Sequence, residues 1–308
     1  MRVMNMYKNG NYTVMIFDDG TKIRQTFKDD FSGFVPKFPE SIDLKITNKC
    51  PYMCEYCHEN SKPDGEEAIL INKDENGNLS FAVPFLNTLV AGTELAIGGG
   101  SVMTHSQLDD FLTLLKQRKI IANFTVNQRE LMTHMVRIQK FIDDGLVNGV
   151  GISYLSKDER LIEFCNKNPN AVIHIINGIV SEDDMKFLVD KNLKVLVLGY
   201  KDFRRGSEFH TYLVDMKKEH LRNNIGKYMK QFKVMSFDNL AITQLDIKKV
   251  LGESTFNKMY MGDDGQFTMY IDLPNNKFAP SSIQPEYLRH NLLDNIIDMF
   301  NVVRKEKQ

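Results

Sequence analysis

The chain has 308 residues, 42% hydrophobic and 26% charged, so its length suits one large domain or two small ones. Its 39 basic and 40 acidic residues leave a net charge of −1, which excludes a strongly basic nucleic-acid binder. No apolar run could span a membrane, the first ten residues lack the apolar core of a signal peptide, and four cysteines are too few for a disulfide framework. The composition predicts a cytoplasmic protein with no membrane partner, and it gives no strong signal for nucleic-acid binding.

Residues 1–40 are predicted to form an N-terminal β-ribbon. Two alternating runs, 12–17 and 21–27, flank the sequence Asp18-Asp19-Gly20. Asp-Gly between two such runs is a strong signal for a β-hairpin. We expect this ribbon to precede the main domain.

Residues 41–205 alternate short apolar runs with helical segments, which predicts an α/β fold with a parallel sheet. One intervening helix follows the i, i+3, i+4, i+7 pattern from Leu108, and another begins at the capping-box-like pair Ser181 and Asp184. The sheet could close as a full barrel, stop as a partial barrel, or lie flat, and in each case ligands gather at the carboxyl ends of the strands. The predicted strands are Ile42–Ile46, Glu94–Ile97, Ile120–Val126, Gly149–Tyr154, Val172–Ile176 and Lys194–Leu198.

The alternation of apolar runs and helical segments stops after residue 205. Residues 206–308 are predicted to be a C-terminal extension that closes the barrel or shapes the substrate site. A long helix is expected over His210–Phe232 and a closing amphipathic helix over Leu292–Val303. Between them, Phe267–Ile271 and Lys277–Ser281 are typical of a second hairpin. Within the main domain, the polar segment Ser61–Ser80 is expected to cover a surface or act as a mobile lid.

Three cysteines with the spacing C-x3-C-x2-C follow directly after the first predicted strand, on its βα loop. Cys50, Cys54 and Cys57 offer three thiolates, whereas a structural metal site is normally closed by four protein ligands. No second cysteine pair and no histidine at finger-like spacing is present, and His58 adjoins Cys57 too closely for an easy tetrahedral arrangement. The isolated Cys165 is typical of a core position. A zinc site and a structural or redox thiol role remain open alternatives.

In this setting the cysteine spacing resembles that of the radical S-adenosylmethionine (SAM) superfamily, and Tyr56 matches the aromatic residue usual before the last cysteine. The resemblance covers about residues 41–200. It implies a partial (βα)6 TIM-like barrel with an N-terminal β-hairpin and a C-terminal α+β extension. It also implies that the three cysteines hold a single [4Fe–4S] cluster, whose open iron is chelated by the amine and carboxylate of SAM.

The activity implied by this resemblance is reductive cleavage of SAM to a 5′-deoxyadenosyl radical. The radical would abstract hydrogen from a small-molecule, nucleotide or peptide substrate, and an external one-electron reductant such as flavodoxin or ferredoxin would supply the electron. The protein would position, tune and shield these groups. No residue is assigned to catalysis on the substrate.

The resemblance also implies SAM contacts at the ends of successive strands. The glycine loop (Gly98–Gly100) is similar to the family's Gly-Gly-Glu element, but Gly100 replaces the acidic residue. For the glycines and the polar strand ends, ordinary turn chemistry is the alternative interpretation, and for the terminal tyrosine it is packing. The expected cofactor-binding residues are Tyr56 in the cysteine motif and, at the strand ends, Gly98, Gly99, Gly100, Asn127, Ser153, Asn177, Gly178 and Tyr200.

Other polar residues near these strand ends have simpler expected roles. His174 lies within the fifth strand and is expected to be a core histidine with its hydrogen bonds satisfied. Lys201, Arg204 and Arg205 could hold a phosphate or carboxylate, although a solvated loop is the favoured interpretation.

Three rival functions remain open at this stage. One is an activase that places a glycyl radical on a partner enzyme. Another is a non-catalytic metal-binding protein with a three-cysteine zinc site. The third, a plain electron-transfer protein, usually has four protein ligands and a small domain, and neither is present here.

Overall fold

The computed structural model describes residues 2–26 and 33–306. Three short 3-10 helices accompany the strands and α-helices, at Pro84–Thr88, Val102–Thr104 and Glu286–Leu288. The strands are β1 (Val3–Asn9), β2 (Tyr12–Phe17), β3 (Lys22–Gln25), β4 (Ser41–Thr47), β5 (Ile71–Lys73), β6 (Leu79–Phe81), β7 (Glu94–Gly99), β8 (Ile121–Asn127), β9 (Gly149–Ser153), β10 (Ala171–Ile176), β11 (Lys194–Leu198), β12 (Val234–Phe237), β13 (Thr268–Asp272), β14 (Lys277–Ala279) and β15 (His290–Asn291). The α-helices are α1 (Leu108–Gln117), α2 (Gln128–Asp143), α3 (Glu159–Lys167), α4 (Glu182–Leu188), α5 (Arg205–Phe209), α6 (Tyr212–Tyr228), α7 (Asn239–Leu245), α8 (Ile247–Leu251), α9 (Glu253–Met259) and α10 (Ile296–Lys305).

A 10-stranded sheet in the order β12-β11-β10-β9-β8-β7-β4-β13-β14-β15 organises the described part of the chain. Every neighbouring pair from β12 to β13 is parallel, and β14 and β15 add antiparallel strands at one edge. The predicted α/β class is therefore confirmed, and the six predicted strands lie side by side in chain order. Their carboxyl ends share one edge, as the βα repeat requires.

The two faces of this sheet differ. On β8, β9 and β11, buried residues alternate strictly with half-buried ones, and the buried set packs with the helices. A parallel sheet usually has both faces covered, so the second face is unusual in keeping polar residues partly exposed. We call it the open face. Its polar members include Asn123, Thr125, Asn127, Ser153 and His174.

Two strands of the parallel run were not expected as part of it. β12 has only four residues, all exposed or half-buried, so it carries no apolar period. β13 forms the predicted hairpin with β14 but also pairs in parallel with β4, with Met269 opposite Ile42. The predicted C-terminal extension therefore adds a strand on each side of the six predicted ones.

A separate three-stranded sheet, β1-β2-β3, lies at the amino ends of the parallel strands. The predicted hairpin is present as β2 and β3, while Phe27 falls outside the described residues. Glu40, just before β4, accepts hydrogen bonds from Tyr12 Oη at 2.6 Å and Arg24 Nε at 2.8 Å. Lys194 at the start of β11 donates to the Asp19 carbonyl at 2.7 Å. The small sheet thus covers the end opposite the cysteines.

The predicted helices are present with shifted ends. The long C-terminal helix is α6, and the closing helix α10 begins at Ile296 because the Asn295 side chain caps it by accepting from the Ile297 amide. The predicted capping box at Ser181 and Asp184 is present at the start of α4. In the described ranges, no helix combines the length and the apolarity needed to cross a membrane.

Candidate metal and cofactor site

The three motif cysteines lie on a loop at the carboxyl end of β4, which we call the cysteine loop (Cys50–Asn60). The amide of Cys50 donates to the Lys62 carbonyl at 2.9 Å, and the amide of Cys57 donates to the Cys54 carbonyl at 3.1 Å. All three thiols are free and half-buried, whereas Cys165 is buried, as expected for a core position. The thiols therefore sit at the edge where ligands of a parallel sheet gather.

The segment after the cysteine loop, expected to cover a surface or act as a mobile lid, is mostly exposed and pairs with β4 at its start. Its first part runs back along the end of β4, where the Asn48 amide donates to the Glu66 carbonyl at 2.7 Å and the Ala68 amide to the Ile46 carbonyl at 3.0 Å. The remainder forms the short hairpin β5–β6. These backbone pairings hold the base of the cysteine loop. They could not be predicted from the turn-rich composition of the segment.

The glycine loop packs directly on the chain that leads into the cysteine loop. The Gly100 amide donates to the Thr47 carbonyl at 2.7 Å, and a Cβ at Gly100 would lie 2.1 Å from the Lys49 carbonyl oxygen. Gly99 has φ +116°, a conformation that favours glycine, and its Cβ would meet the Thr47 oxygen at 2.4 Å. An added Cβ at Gly98 meets nothing within 4 Å, so of these three glycines Gly98 alone faces open space.

A buried glutamate that sequence reasoning missed holds the far side of the glycine loop. Glu130, only 1% exposed, accepts from Ser101 Oγ at 2.6 Å and from the Met103 amide at 2.7 Å. Burial raises the pKa of Glu130 despite these hydrogen bonds. Its position as the third residue of α2, in a capping box with Asn127, was the available sequence signal.

Asn127 joins the cysteine loop to the sheet. Its Oδ1 caps α2 by accepting from the Arg129 amide at 2.9 Å, and its Nδ2 lies 3.5 Å from Cys54 Sγ. Asn127 therefore caps a helix, which is ordinary turn chemistry, and it also lies beside one of the motif cysteines. In the sheet register Asn127 is opposite Ser153, and Ser153 is opposite His174. These three residues form one row on the open face, beginning at Cys54.

His174 differs from its expected role as a satisfied core histidine. It is half-buried on the open face, and its imidazole has no hydrogen-bond partner among the described residues. Gly151 makes room for it, because a Cβ there would lie 2.3 Å from His174 Cε1. Burial lowers the pKa of His174 to about 4, so the ring is neutral at pH 7. The odd–even alternation of β10 was the signal for this orientation.

The other predicted contacts at β10 and β11 are turned towards the helices. Asn177 is buried, its Nδ2 donates to Gln244 Oε1 at 2.9 Å, and it lines a cavity of about 650 Å³ beside α6 and α7. Gly178 packs against Val214 of α6. Tyr200 is buried and its hydroxyl donates to the Gly206 carbonyl at 2.5 Å. Its surroundings therefore agree with the alternative interpretation, in which this tyrosine has a packing role. These side chains are not grouped with the row that begins at Asn127.

The three cations after β11 do not form the solvated loop that was favoured. Lys201 Nζ donates to His58 Nε2 at 2.9 Å, and Arg204 donates to the His58 carbonyl at 3.2 Å. Arg205 Nη2 donates to the Ser61 carbonyl at 2.6 Å. Lys201 and Arg204 therefore bind the second half of the cysteine loop, and Arg205 binds the residue that follows the loop. Loop composition does not reveal such long-range pairing.

A buried charge network lies beneath the cysteine loop. Lys45 Nζ is 2.7 Å from Glu59 Oε2 and 3.2 Å from Asp272 Oδ2, and Arg289 Nη1 is also 3.2 Å from Asp272 Oδ2. Burial alone would raise the pKa of Glu59, but His58 and Lys45 outweigh it and hold that pKa well below its usual range. Glu59 is thus a charged anchor two residues beyond Cys57.

The cysteine loop fits a cluster better than a single metal ion. Burial raises the pKa of Cys50 and that of Cys54, and bound metal would reverse this by stabilising the thiolates. Among residues 2–26 and 33–306, no three His, Cys, Asp or Glu side chains converge as ligands of one ion. Because each cysteine of an iron–sulfur cluster binds a different iron, its ligands need not converge on one point. Three free, half-buried thiols on one loop therefore suit an iron–sulfur cluster.

Neither a protein-family model nor a curated protein sequence matches the chain. Its fold is similar to that of SuiB from Streptococcus suis, with a TM-score of 0.62 at 11% identity over 97% of this chain and 88% of SuiB. SuiB bound to the precursor peptide SuiA gives a TM-score of 0.60 at 15% identity, and SuiB bound to S-adenosylmethionine gives 0.55 at 15%. These two alignments cover 86% and 87% of this chain but only 65% and 66% of the SuiB chain. At such identities the likeness shows a shared fold.

Proposed function

We propose that the chain is a radical SAM enzyme in which Cys50, Cys54 and Cys57 hold one [4Fe–4S] cluster. The observation that carries the proposal is the set of three free, half-buried thiols on one loop at the carboxyl end of β4, with Asn127 Nδ2 3.5 Å from Cys54 Sγ. The fold likeness to SuiB, which binds SAM in one of its structures, supports it independently. We take the open face to be the interior of a partial (βα)6 barrel.

When bound and reduced, the cluster would supply one electron to SAM, break its carbon–sulfur bond and yield methionine and a 5′-deoxyadenosyl radical that abstracts a substrate hydrogen. The chain's own residues would position these groups. The backbone of Gly98–Gly100 would approach SAM closely, and the row from Asn127 to Ser153 would extend its polar contacts away from Cys54. Tyr56, whose ring packs on Phe209 at 5.7 Å, would shield the cysteine loop.

For the substrate we propose a peptide. Of the small-molecule, nucleotide and peptide classes, the peptide is favoured by the likeness to SuiB in complex with its precursor peptide. Residues 206–308 would complete the substrate site beside the core of residues 41–205, and residues 1–40 would cover the opposite end. A flavodoxin or ferredoxin in the cytoplasm would supply the electron.

Anaerobic reconstitution with iron and sulfide tests the proposal. We expect about four irons and four sulfides per chain and formation of 5′-deoxyadenosine from SAM on reduction with dithionite. Cys54→Ala removes one cluster ligand and should abolish SAM cleavage, whereas Cys165→Ala, at a core position, should leave it intact. SAM cleavage by Cys54→Ala at the parent's rate would refute the proposal.

Metal analysis separates the zinc-binding rival, and the fate of the radical separates the activase. One tightly bound zinc and no iron would identify a non-catalytic metal-binding protein. A glycyl-radical activase would cleave SAM and leave a radical on the glycine of a partner enzyme, without consuming a peptide.

A further inference from the structure

Arg205 lies across the cysteine loop, and one of its buried N–H donors has no partner among the described residues. Its Nη2 donates to the Ser61 carbonyl at 2.6 Å, and its Nη1 is 3.8 Å from Met53 Sδ. Because Met53 and Ser61 bracket Cys54 and Cys57 in the chain, the guanidinium spans the stretch that carries two of the thiols. Its Nε is buried and has no hydrogen-bond partner among the described residues.

The unused donor indicates the kind of group that belongs beside it. A guanidinium has five N–H donors and no acceptor, and a buried donor left unpaired is unfavourable because its lost hydration is not replaced. The missing partner must therefore be an acceptor, and a negatively charged one is favoured. The Nη1 contact to Met53 Sδ places the guanidinium beside the residue that precedes Cys54.

The surrounding contacts fix Arg205 in this position. The preceding residue, Arg204, has φ +53° and ψ −134°, which is a sparsely populated conformation for a residue other than glycine. It is maintained by its hydrogen bonds to the carbonyls of His58 and Glu59. On the other side, Phe209 of α5 packs edge-on against Tyr56 of the cysteine loop. Arg205 is thus held between two contacts to the same loop.

We propose that Arg205 donates its Nε–H to a sulfur of the [4Fe–4S] cluster and so raises the cluster's reduction potential. This rests on the proposed function, since it requires that cluster. The potential of an iron–sulfur cluster depends on its net charge and on hydrogen bonds to its sulfurs, and Arg205 contributes to both.

The test compares midpoint potentials of reconstituted protein in redox titrations without SAM, followed by electron paramagnetic resonance. Arg205→Met should lower the midpoint potential because it removes the charge and the donor. Arg205→Lys, which keeps the charge but has no Nε–H, should lie between Arg205→Met and the parent. The matched control is Arg118→Met. Arg118 donates to the Asn87 carbonyl at the end of α1, and its loss should leave the potential unchanged.

A midpoint potential for Arg205→Met equal to that of the parent would overturn the inference. If Arg205→Met fails to load iron, the Arg205→Lys protein decides: a potential below the parent's supports the inference and an unchanged one refutes it. Failure of the parent itself to bind iron would instead refute the proposed function.

Discussion

Gly100 is the point of closest approach between the glycine loop and the chain leading into the cysteine loop. Its missing side chain leaves room for the Lys49 carbonyl, one residue before Cys50. The neighbouring Gly98 has no such constraint. Two glycines in one tripeptide thus have different reasons to be glycine, and substitution can separate them.

We expect Gly100→Ala to destabilise the protein by about 1–3 kcal/mol, because the methyl group must displace backbone. Gly98→Ala is the matched control and should change stability by less than about 1 kcal/mol. Urea unfolding of the metal-free proteins measures both. Equal midpoints for the two variants would contradict the packing described between Gly100 and Lys49.

At this scale the sequence predicted residue types well and their partners poorly. The cysteine spacing and the strand-end position of Asn127 could be read directly from the sequence. The free imidazole of His174 required knowing which face of β10 meets the helices, and the contacts of Arg205 required knowing the path of the loop after β11. Orientation and long-range pairing are decided by tertiary structure, which composition does not encode locally.

At the scale of elements, the buried charges beneath the cysteine loop connect β4 with the hairpin β13–β14. Lys45 is 2% exposed and Asp272 is fully buried, so neither charge is solvated. Tyr270 adds its hydroxyl 3.4 Å from Asp272 Oδ2. The sequence concealed this network because Lys45 and Asp272 lie 227 residues apart.

Lys45→Met should destabilise the protein by about 3 kcal/mol or more, since it leaves Glu59 and Asp272 without a buried cation between them. Lys186→Met is the matched control. Lys186 pairs with Glu182 on the exposed surface of α4, and its loss should cost less than about 1 kcal/mol. Chemical unfolding at pH 7 compares the two. A Lys45→Met protein as stable as Lys186→Met would contradict the account of the network.

At the scale of the whole molecule, the sequence predicted the order of the six central strands because each is a compact apolar run followed by a helix. It did not predict the strands that extend the sheet. β12 is too short and too exposed to carry a period, and β13 was recognised as half of a hairpin but not as a neighbour of β4. Pairing between distant segments is a property of the assembled sheet.

A mutation at the amino ends of the parallel strands should lower stability without affecting the cysteine loop at their carboxyl ends. Glu40→Leu leaves Arg24 without its carboxylate at the amino end, and should cost about 3 kcal/mol. Adding Arg24→Leu should recover part of that loss, because removing both partners is cheaper than removing one. Iron content per folded chain should stay at the parent's value, since the cysteine loop lies at the carboxyl end. Loss of iron in proportion to stability would contradict this independence.

The pairing of β4 with β13 also sets the order in which the site can be assembled. As the chain is synthesised, the three thiols emerge early, but Lys201, Asp272 and Arg289, which brace the cysteine loop directly or through Lys45 and Glu59, emerge much later. Contacts so distant in sequence form slowly in folding. A nascent chain therefore carries its three thiols on an unbraced loop until the last of these residues has been added.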